Sequence, residues 1–368
     1  MTDPVLLHAA PETSADLFHA VPAGIGDPFT YFEVDGRRVA IISVLDRDAV
    51  EAHGIEVVDP SELGRDELLA SGADAIGLEA ETTLRGLRRA GIDHALVPPD
   101  FPVFLADHLR ASGVELSVDA DAFMTRRRVK TAAQLEGIRR AQAAADAAMG
   151  VARDLLHEAQ AGLTAEEVRA AMQAVCAERG ADLPDDVIVA PGAQGASGHE
   201  SGSGPIEPGV PVVVDIWPRD RASRCWADMT RTFVSGGGEP PAELAEYWRL
   251  CKDSLDQVHA AIRAGIAGGE LFRISCQPFI DAGQPTQLTK EPGKPLTEGY
   301  FHSLGHGVGL QIHERPYLGR LSDDLVAGDV IAVEPGCYRP GFGGCRLEDL
   351  VLVTEDGGEN LTNFPYEL

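Results

Sequence analysis

The chain has 368 residues, enough for about two domains, and its 44% apolar content is ordinary for a globular protein. Its 31 basic and 58 acidic residues leave a net charge of −27, which weighs against nucleic acid and anionic membrane as partners, since both need basic patches. No stretch reaches the ~18 apolar residues of a membrane span. The N-terminal MTDPVLLHAAPETSADLF lacks the basic and apolar regions of a signal peptide. The cysteines Cys176, Cys225, Cys251, Cys276, Cys337 and Cys345 form no C-x-x-C pair and read as free thiols, so a reducing, cytoplasmic location is expected.

Residues 1–125 read as an α/β domain. In 31-YFEVDGRRVAIISV-44, Asp35-Gly36 sits between two β-rich runs and predicts a hairpin. The runs 75-AIGLE-79 and 94-HALVP-98 are read as strands, separated by helical patterns over 81–91 and 102–113, giving a mixed sheet with helical cover. The basic run 126-RRRVK-130 marks a boundary, as a solvated linker or helix lead-in, and a second domain is expected over 126–368. Thr131 with Gln134 predicts a capping box, followed by a helix that buries Leu135, Ile138, Ala141, Ala145, Ala148, Ala152 and Leu155; Thr164 with Glu167 predicts another. An antiparallel region over 187–234, helices near 241–264 and 269–281, and a strand-rich stretch over 296–353 follow.

Five of these later segments carry ionisable groups where a strand should be apolar. Val212, Val213 and Val214 run into Asp215, and Asp228 lies in CWADMTRTFV. His306 stands between Gly305 and Gly307, small neighbours that would let a ligand or metal approach the backbone. Glu334 ends VIAVE before Pro335-Gly336, and Glu348 precedes the apolar run from Leu350. Unpaired buried carboxylates are costly. Asp215, Asp228, Glu334 and Glu348 together carry −4, which two divalent cations neutralise and one does not.

These segments resemble the metallopeptidase family with the pita-bread fold, which includes methionine aminopeptidases, Xaa-Pro aminopeptidases and prolidases. Its pattern is an Asp after an apolar strand, then D-x-T-R-T-F, G-H-G-x-G, E-P-G-x-Y and R-x-E-D. Here it reads Asp215, 228-DMTRTF-233, 305-GHGVG-309, 334-EPGCY-338 and 346-RLED-349. The match covers most of 126–368; the first 125 residues resemble the family's N-terminal domain only in size and style. The resemblance implies an α+β protein: a curved, mainly antiparallel sheet covered by helices, preceded by the smaller α/β domain. It implies two divalent metal ions, with Asp215 on one, His306 and Glu334 mainly on the other, and Asp228 and Glu348 bridging. Oxygen donors with one imidazole favour Mn²⁺, with Co²⁺, Zn²⁺ and Fe²⁺ as alternatives. Arg346 and Glu348, two apart, are expected on one face of a strand, with Arg346 bonding a ligating carboxylate and Asp349 facing away. His199 in 195-GASGHESGSG-204 and His313 in 311-QIHERP-316 are the expected donors to the scissile carbonyl oxygen, and Glu334 the group that takes the proton of the attacking water. His302 is left outside the site.

The sequence departs from the pattern after the first ligand, where 215-DIW-217 replaces Asp-x-Gly and the loop to Asp228 is longer. Trp217, Arg219, Arg221 and Arg224 either alter the substrate cleft or serve as core and solvated tip residues. The resemblance implies a homodimeric Xaa-Pro aminopeptidase acting on proline-containing peptides. The alternative is an Xaa-Pro dipeptidase, which needs a group such as Arg315 or Arg320 for the free carboxylate. A metal-dependent lyase and a non-catalytic binding protein are further readings.

Overall fold

Asp35 and Gly36, at φ 50° and 78°, make the left-handed two-residue turn that an Asp-Gly pair favours. The computed structural model describes residues 3–159 and 162–368. The chain divides into two units, the first ending at Arg127 and the second starting at Arg128. In the first, β1 (Val5–Ala9), β2 (Phe29–Val34), β3 (Arg37–Ile41), β4 (Glu56–Val58), β5 (His94–Val97) and β6 (Glu115–Val118) form one sheet in the order β4-β3-β2-β1-β5-β6. The hairpin strands β1, β2 and β3 pair antiparallel; β4, β5 and β6 join parallel. Leu6 and Leu7, adjacent in β1, enter different apolar clusters, so both faces of the sheet are covered. The cover comes from α1 (Ala15–Ala20), α2 (Arg47–Glu51), α4 (Ala75–Ala90), α5 (Val103–Ala111) and α6 (Ala120–Arg128), while α3 (Arg65–Ala70) buries no residue.

The strand expected over 75–79 is instead the first turn of α4. The Asp74 carboxylate accepts the Gly77 N–H at 2.7 Å, and this cap starts the helix there. The run 126–128 is the end of α6 rather than a linker.

In the second unit, α7 (Ala132–His157) and α8 (Ala165–Glu178) begin at the Thr131 and Thr164 capping boxes. Then come β7 (Ala181–Asp182), β8 (Ile188–Pro191), β9 (Pro211–Ile216), β10 (Arg219–Asp220) and β11 (Met229–Val234). Helices α9 (Ala242–Ala261) and α10 (Gly268–Asp281) precede β12 (Gly305–Gly307), β13 (Glu314–Leu318), β14 (Val330–Val333), β15 (Gly336–Arg339), β16 (Gly343–Arg346), β17 (Asp349–Val353) and β18 (Gly358–Asn360). Strands assemble antiparallel as β11-β9-β8, β13-β12-β14-β17-β18, β15-β16 and β10-β7. Val212, Val214, Met229 and Phe233 pack against α7 and α8. Ile331, Val333, Val351 and Val353 pack against α9 and α10. Because strand side chains alternate, Asp215 faces away from the cluster that holds Val214.

Candidate metal centre

Asp228 lies just before β11, His306 in β12 and Glu348 just before β17. One donor atom from each lies within 4.8 Å of the others, and the three residues are 5%, 8% and 2% exposed. Backbone bonds hold the ligand-bearing segments together: Glu348 N–H donates to Thr230 O at 3.0 Å, and Glu334 N–H to Leu304 O at 2.8 Å. Glu334 and Asp215 border the same cavity, Glu334 Oε1 at 3.8 Å from His306 Nε2. The glycines flanking His306 serve the sheet rather than a ligand. A Cβ at Gly305 would strike the Ala332 carbonyl, and one at Gly307 the Arg315 carbonyl, so β12 fits between β13 and β14 only with glycine there.

The electrostatics show what the site lacks. Burial pushes Asp228 well above the usual carboxylate range, and the charges of Glu348, Asp215 and Glu334 add to it. Burial raises Glu348 in the same way, aided by Asp215 and Glu334. Glu334 is pushed up to about 8 by burial, with Arg346 opposing and Asp215 adding to the rise. Burial, then His313 with its ring 4.2 Å away, lowers His306 to about 3, so its imidazole is neutral. His306 Nδ1 lies 3.2 Å from the Gly307 carbonyl and donates to it, which leaves the Nε2 lone pair facing Asp228 Oδ2 at 3.7 Å. Asp215 Oδ2 accepts from Arg346 at 2.6 Å, while its Oδ1 is buried without a hydrogen bond. Lone pairs and carboxylates converge there with few donors among them. A divalent cation would satisfy that arrangement.

A second layer holds the donors in place. Thr230 Oγ1 donates to Glu348 Oε2 at 2.7 Å, and Arg346 Nη1 donates to the Tyr338 hydroxyl at 2.7 Å. His302 Nδ1 donates to Ser303 O at 2.8 Å, so its Nε2 accepts from the Tyr338 hydroxyl at 3.0 Å. Arg346 and Glu348 do not share a strand: β16 ends at Arg346 and β17 starts at Asp349, yet both side chains reach the cavity. Sequence reasoning missed Thr230 and Tyr338, although both lie inside the quoted motifs, and it set aside His302, which lines the cavity.

The cavity, about 570 Å³, also takes in His199, His313 and Trp217. Burial, then His199, lowers His313. Arg315 and Arg320 are not among its walls; Arg315 Nη1 lies 3.3 Å from Asp323 Oδ1. The loop arginines are absent from the walls as well: Arg219 stacks on Trp226 and Arg221 pairs with Asp182 at 2.7 Å. Arg346 is the one arginine among the described lining residues.

With this geometry in place, the likeness to known proteins is specific. The sequence profile of metallopeptidase family M24 matches residues 136–355. The chain is 33% identical over 251 residues to the Xaa-Pro dipeptidase of Pyrococcus furiosus, covering 67% of each protein. It is 32% identical over 266 residues to the probable dipeptidase PepE of Mycobacterium tuberculosis, covering 72% of this chain and 65% of that protein's length. The crystal structure of the prolidase from Pyrococcus horikoshii OT3 superposes with a TM-score of 0.81 at 25% identity, covering 100% of this chain and 95% of that one. The chain belongs to metallopeptidase family M24. Its fold is the pita-bread fold with a separate N-terminal domain.

Proposed function

We propose that the protein is a metal-dependent Xaa-Pro dipeptidase. The observation that carries this reading is the buried Asp228, His306 and Glu348 cluster opening on a cavity of about 570 Å³, in the size range of small-molecule sites. The relatives named as dipeptidases and prolidase favour it over the aminopeptidase expected from the sequence.

Asp215, Asp228, His306, Glu334 and Glu348 would hold two divalent ions, with Mn²⁺ the best match to the oxygen-rich donors and Co²⁺, Zn²⁺ or Fe²⁺ able to replace it. When bound, the ions supply an activated water and a Lewis acid for the peptide carbonyl. Glu334 accepts the proton of the attacking water and passes it to the leaving proline nitrogen. His199 and His313 donate hydrogen bonds to the carbonyl oxygen as it becomes anionic. Arg346 fixes Asp215 and, through Tyr338, His302. The N-terminal unit is the creatinase/prolidase-like domain and the second unit the catalytic one, in a homodimer. No helix among the described residues is long and apolar enough to cross a membrane. The buried free thiols support a cytoplasmic location.

Hydrolysis of Ala-Pro and Ala-Pro-Ala, before and after chelation, tests the reading. Chelator-sensitive release of proline from the dipeptide alone is expected. Turnover of the tripeptide would restore the aminopeptidase, and metal binding with no peptide turnover would overturn both.

A further inference from the structure

Residues 218–227 of the longer loop are absent from the cavity walls, yet they touch a segment that lines it. They fold back on themselves as a short hairpin. Asp220 N–H donates to Cys225 O at 2.9 Å, Ala227 N–H donates to Pro218 O at 2.9 Å, and Arg219 bridges antiparallel to Trp226. The Arg219 guanidinium lies 5.2 Å from the centre of the Trp226 ring, and its Nε donates to Arg224 O at 3.0 Å. Arg140 of α7 holds the tip through Asp220, with bonds of 3.0 and 2.9 Å.

This hairpin brings Trp226 to the connection between β12 and β13, residues 308–313, which ends in His313. Trp226 N–H donates to Gly309 O at 2.8 Å, and its indole Nε1–H donates to Leu310 O at 3.2 Å. Two donors on successive carbonyls fix the planes of both peptides. Glu314 holds the other end of the connection. Its Oε1 accepts from Lys130 Nζ at 2.6 Å and its Oε2 from Gln311 N–H at 3.3 Å, with both side chains of the ion pair 2% exposed. A Cβ at Gly309 would strike the Glu314 carboxylate, so glycine lets the connection close over this pair. His313 stands between the two attachments, its ring 4.2 Å from that of His306.

We propose that Trp226 is a positioning residue: its two hydrogen bonds set the β12–β13 connection so that His313 presents its ring to the cavity. This rests on the dipeptidase reading and gives the longer loop a part in it. Trp226 is outside the cavity walls, so it acts through the connection and not on substrate. The motifs of the resembling pattern do not include this position. A donor aimed at a developing oxyanion has to be held within roughly 0.5 Å of its place. Loosening the connection therefore slows the chemical step more than it weakens substrate binding. Asp228, two residues after Trp226, is the competing route to the site, and the test separates the two.

Trp226→Phe keeps a ring and the backbone N–H and removes the indole donor. In the metal-loaded protein, kcat for Ala-Pro should fall roughly tenfold, with KM changed less than about twofold. In a His313→Ala background the same substitution should cost little further, because its effect passes through that ring. Metal content should match that of the unaltered protein. An unchanged kcat, a full loss on top of His313→Ala, or a loss of metal overturns the proposal, the last because it assigns the effect to Asp228. Hydrogen exchange reads the brace without turnover. The amides of 308–313 should exchange roughly tenfold faster in Trp226→Phe, with those of β14 and β17 unchanged. If the unaltered protein cleaves no dipeptide, the dipeptidase reading fails and exchange alone judges the brace: faster exchange confined to 308–313 upholds it, and equal exchange or acceleration throughout the second unit overturns it.

Discussion

Glu348 and Asp349 are neighbours in the chain, 2% and 0% exposed, and their surroundings treat a negative charge in opposite ways. Burial and the charges of Asp215 and Glu334 push Glu348 well above its ordinary range. Burial acts on Asp349 too, but His259, Arg231 and Tyr366 outweigh it and hold the carboxyl below the usual value. Arg231 Nη2 and Asn360 Nδ2 each donate to Asp349 at 3.0 Å, the Tyr366 hydroxyl donates as well, and His259 Nε2 stands 3.1 Å away. The Arg231 guanidinium also donates to the Glu348 carbonyl at 2.7 Å, so the satisfied carboxylate anchors the backbone of the unsatisfied one. A buried acid that the protein satisfies by itself maintains structure. A buried acid left among other acids marks a place for an external cation.

Breaking the unsatisfied side should abolish function. Asp228→Ala and Glu348→Ala are expected to lower kcat/KM for dipeptides by roughly 10³-fold or more and to reduce bound metal, as read by elemental analysis. The stability effects separate the two neighbours. Asp349→Asn leaves the Arg231 guanidinium buried without its counter-charge and should cost about 3–5 kcal/mol in denaturant unfolding. Glu348→Gln removes one of several repelling charges and should leave the metal-free protein as stable as before or more so. Equal destabilisation by both would erase the contrast.

Acidity sharpens the same comparison. In the metal-free protein Glu334 binds its proton up to about 8, whereas the unfolded chain releases it near 4.5. Between those values the folded state holds the extra proton, so stability falls as pH rises, by at most about 1.4 kcal/mol per pH unit for this group. Adding metal displaces the proton and should flatten the slope. Asp349 works the other way. Its contribution is present above the ordinary aspartate value of 3.8 and is lost as pH falls through its lower folded value. Thermal melts across pH, with and without metal, distinguish the two; a metal-free melting temperature that stays level from pH 5 to pH 8 would contradict the crowding of acids around Glu334.

The cavity-facing acids and His306 were legible because an ionisable group in an apolar strand conflicts with its neighbours, and that conflict shows in the sequence. Groups whose roles depend on which strands meet were not legible. Thr230 reaches Glu348 across β11 and the start of β17, and Tyr338 reaches Arg346 across the β15–β16 hairpin. The hairpin at Asp35-Gly36 and the capping boxes at Thr131 and Thr164 were readable because their signals are local. The misreading of 75–79 came from weighing five residues without the Asp74 cap ahead of them.

The gentlest change is at Tyr366, whose hydroxyl donates to Asp349 Oδ2 while its ring lies 4.6 Å from the Arg231 guanidinium. Tyr366→Phe keeps the ring and removes one of several donors to the carboxylate. The loss should be about 1 kcal/mol in unfolding free energy, the net value of one such bond. Asp349 retains Arg231 and Asn360, so the strand end that carries Glu348 stays in place. Metal content and kcat/KM should therefore match those of the unaltered protein. A fall in metal affinity without a fall in stability would mean that the Asp349 network tunes the donor cluster directly, and the division between a structural and a ligand-binding carboxylate would no longer hold.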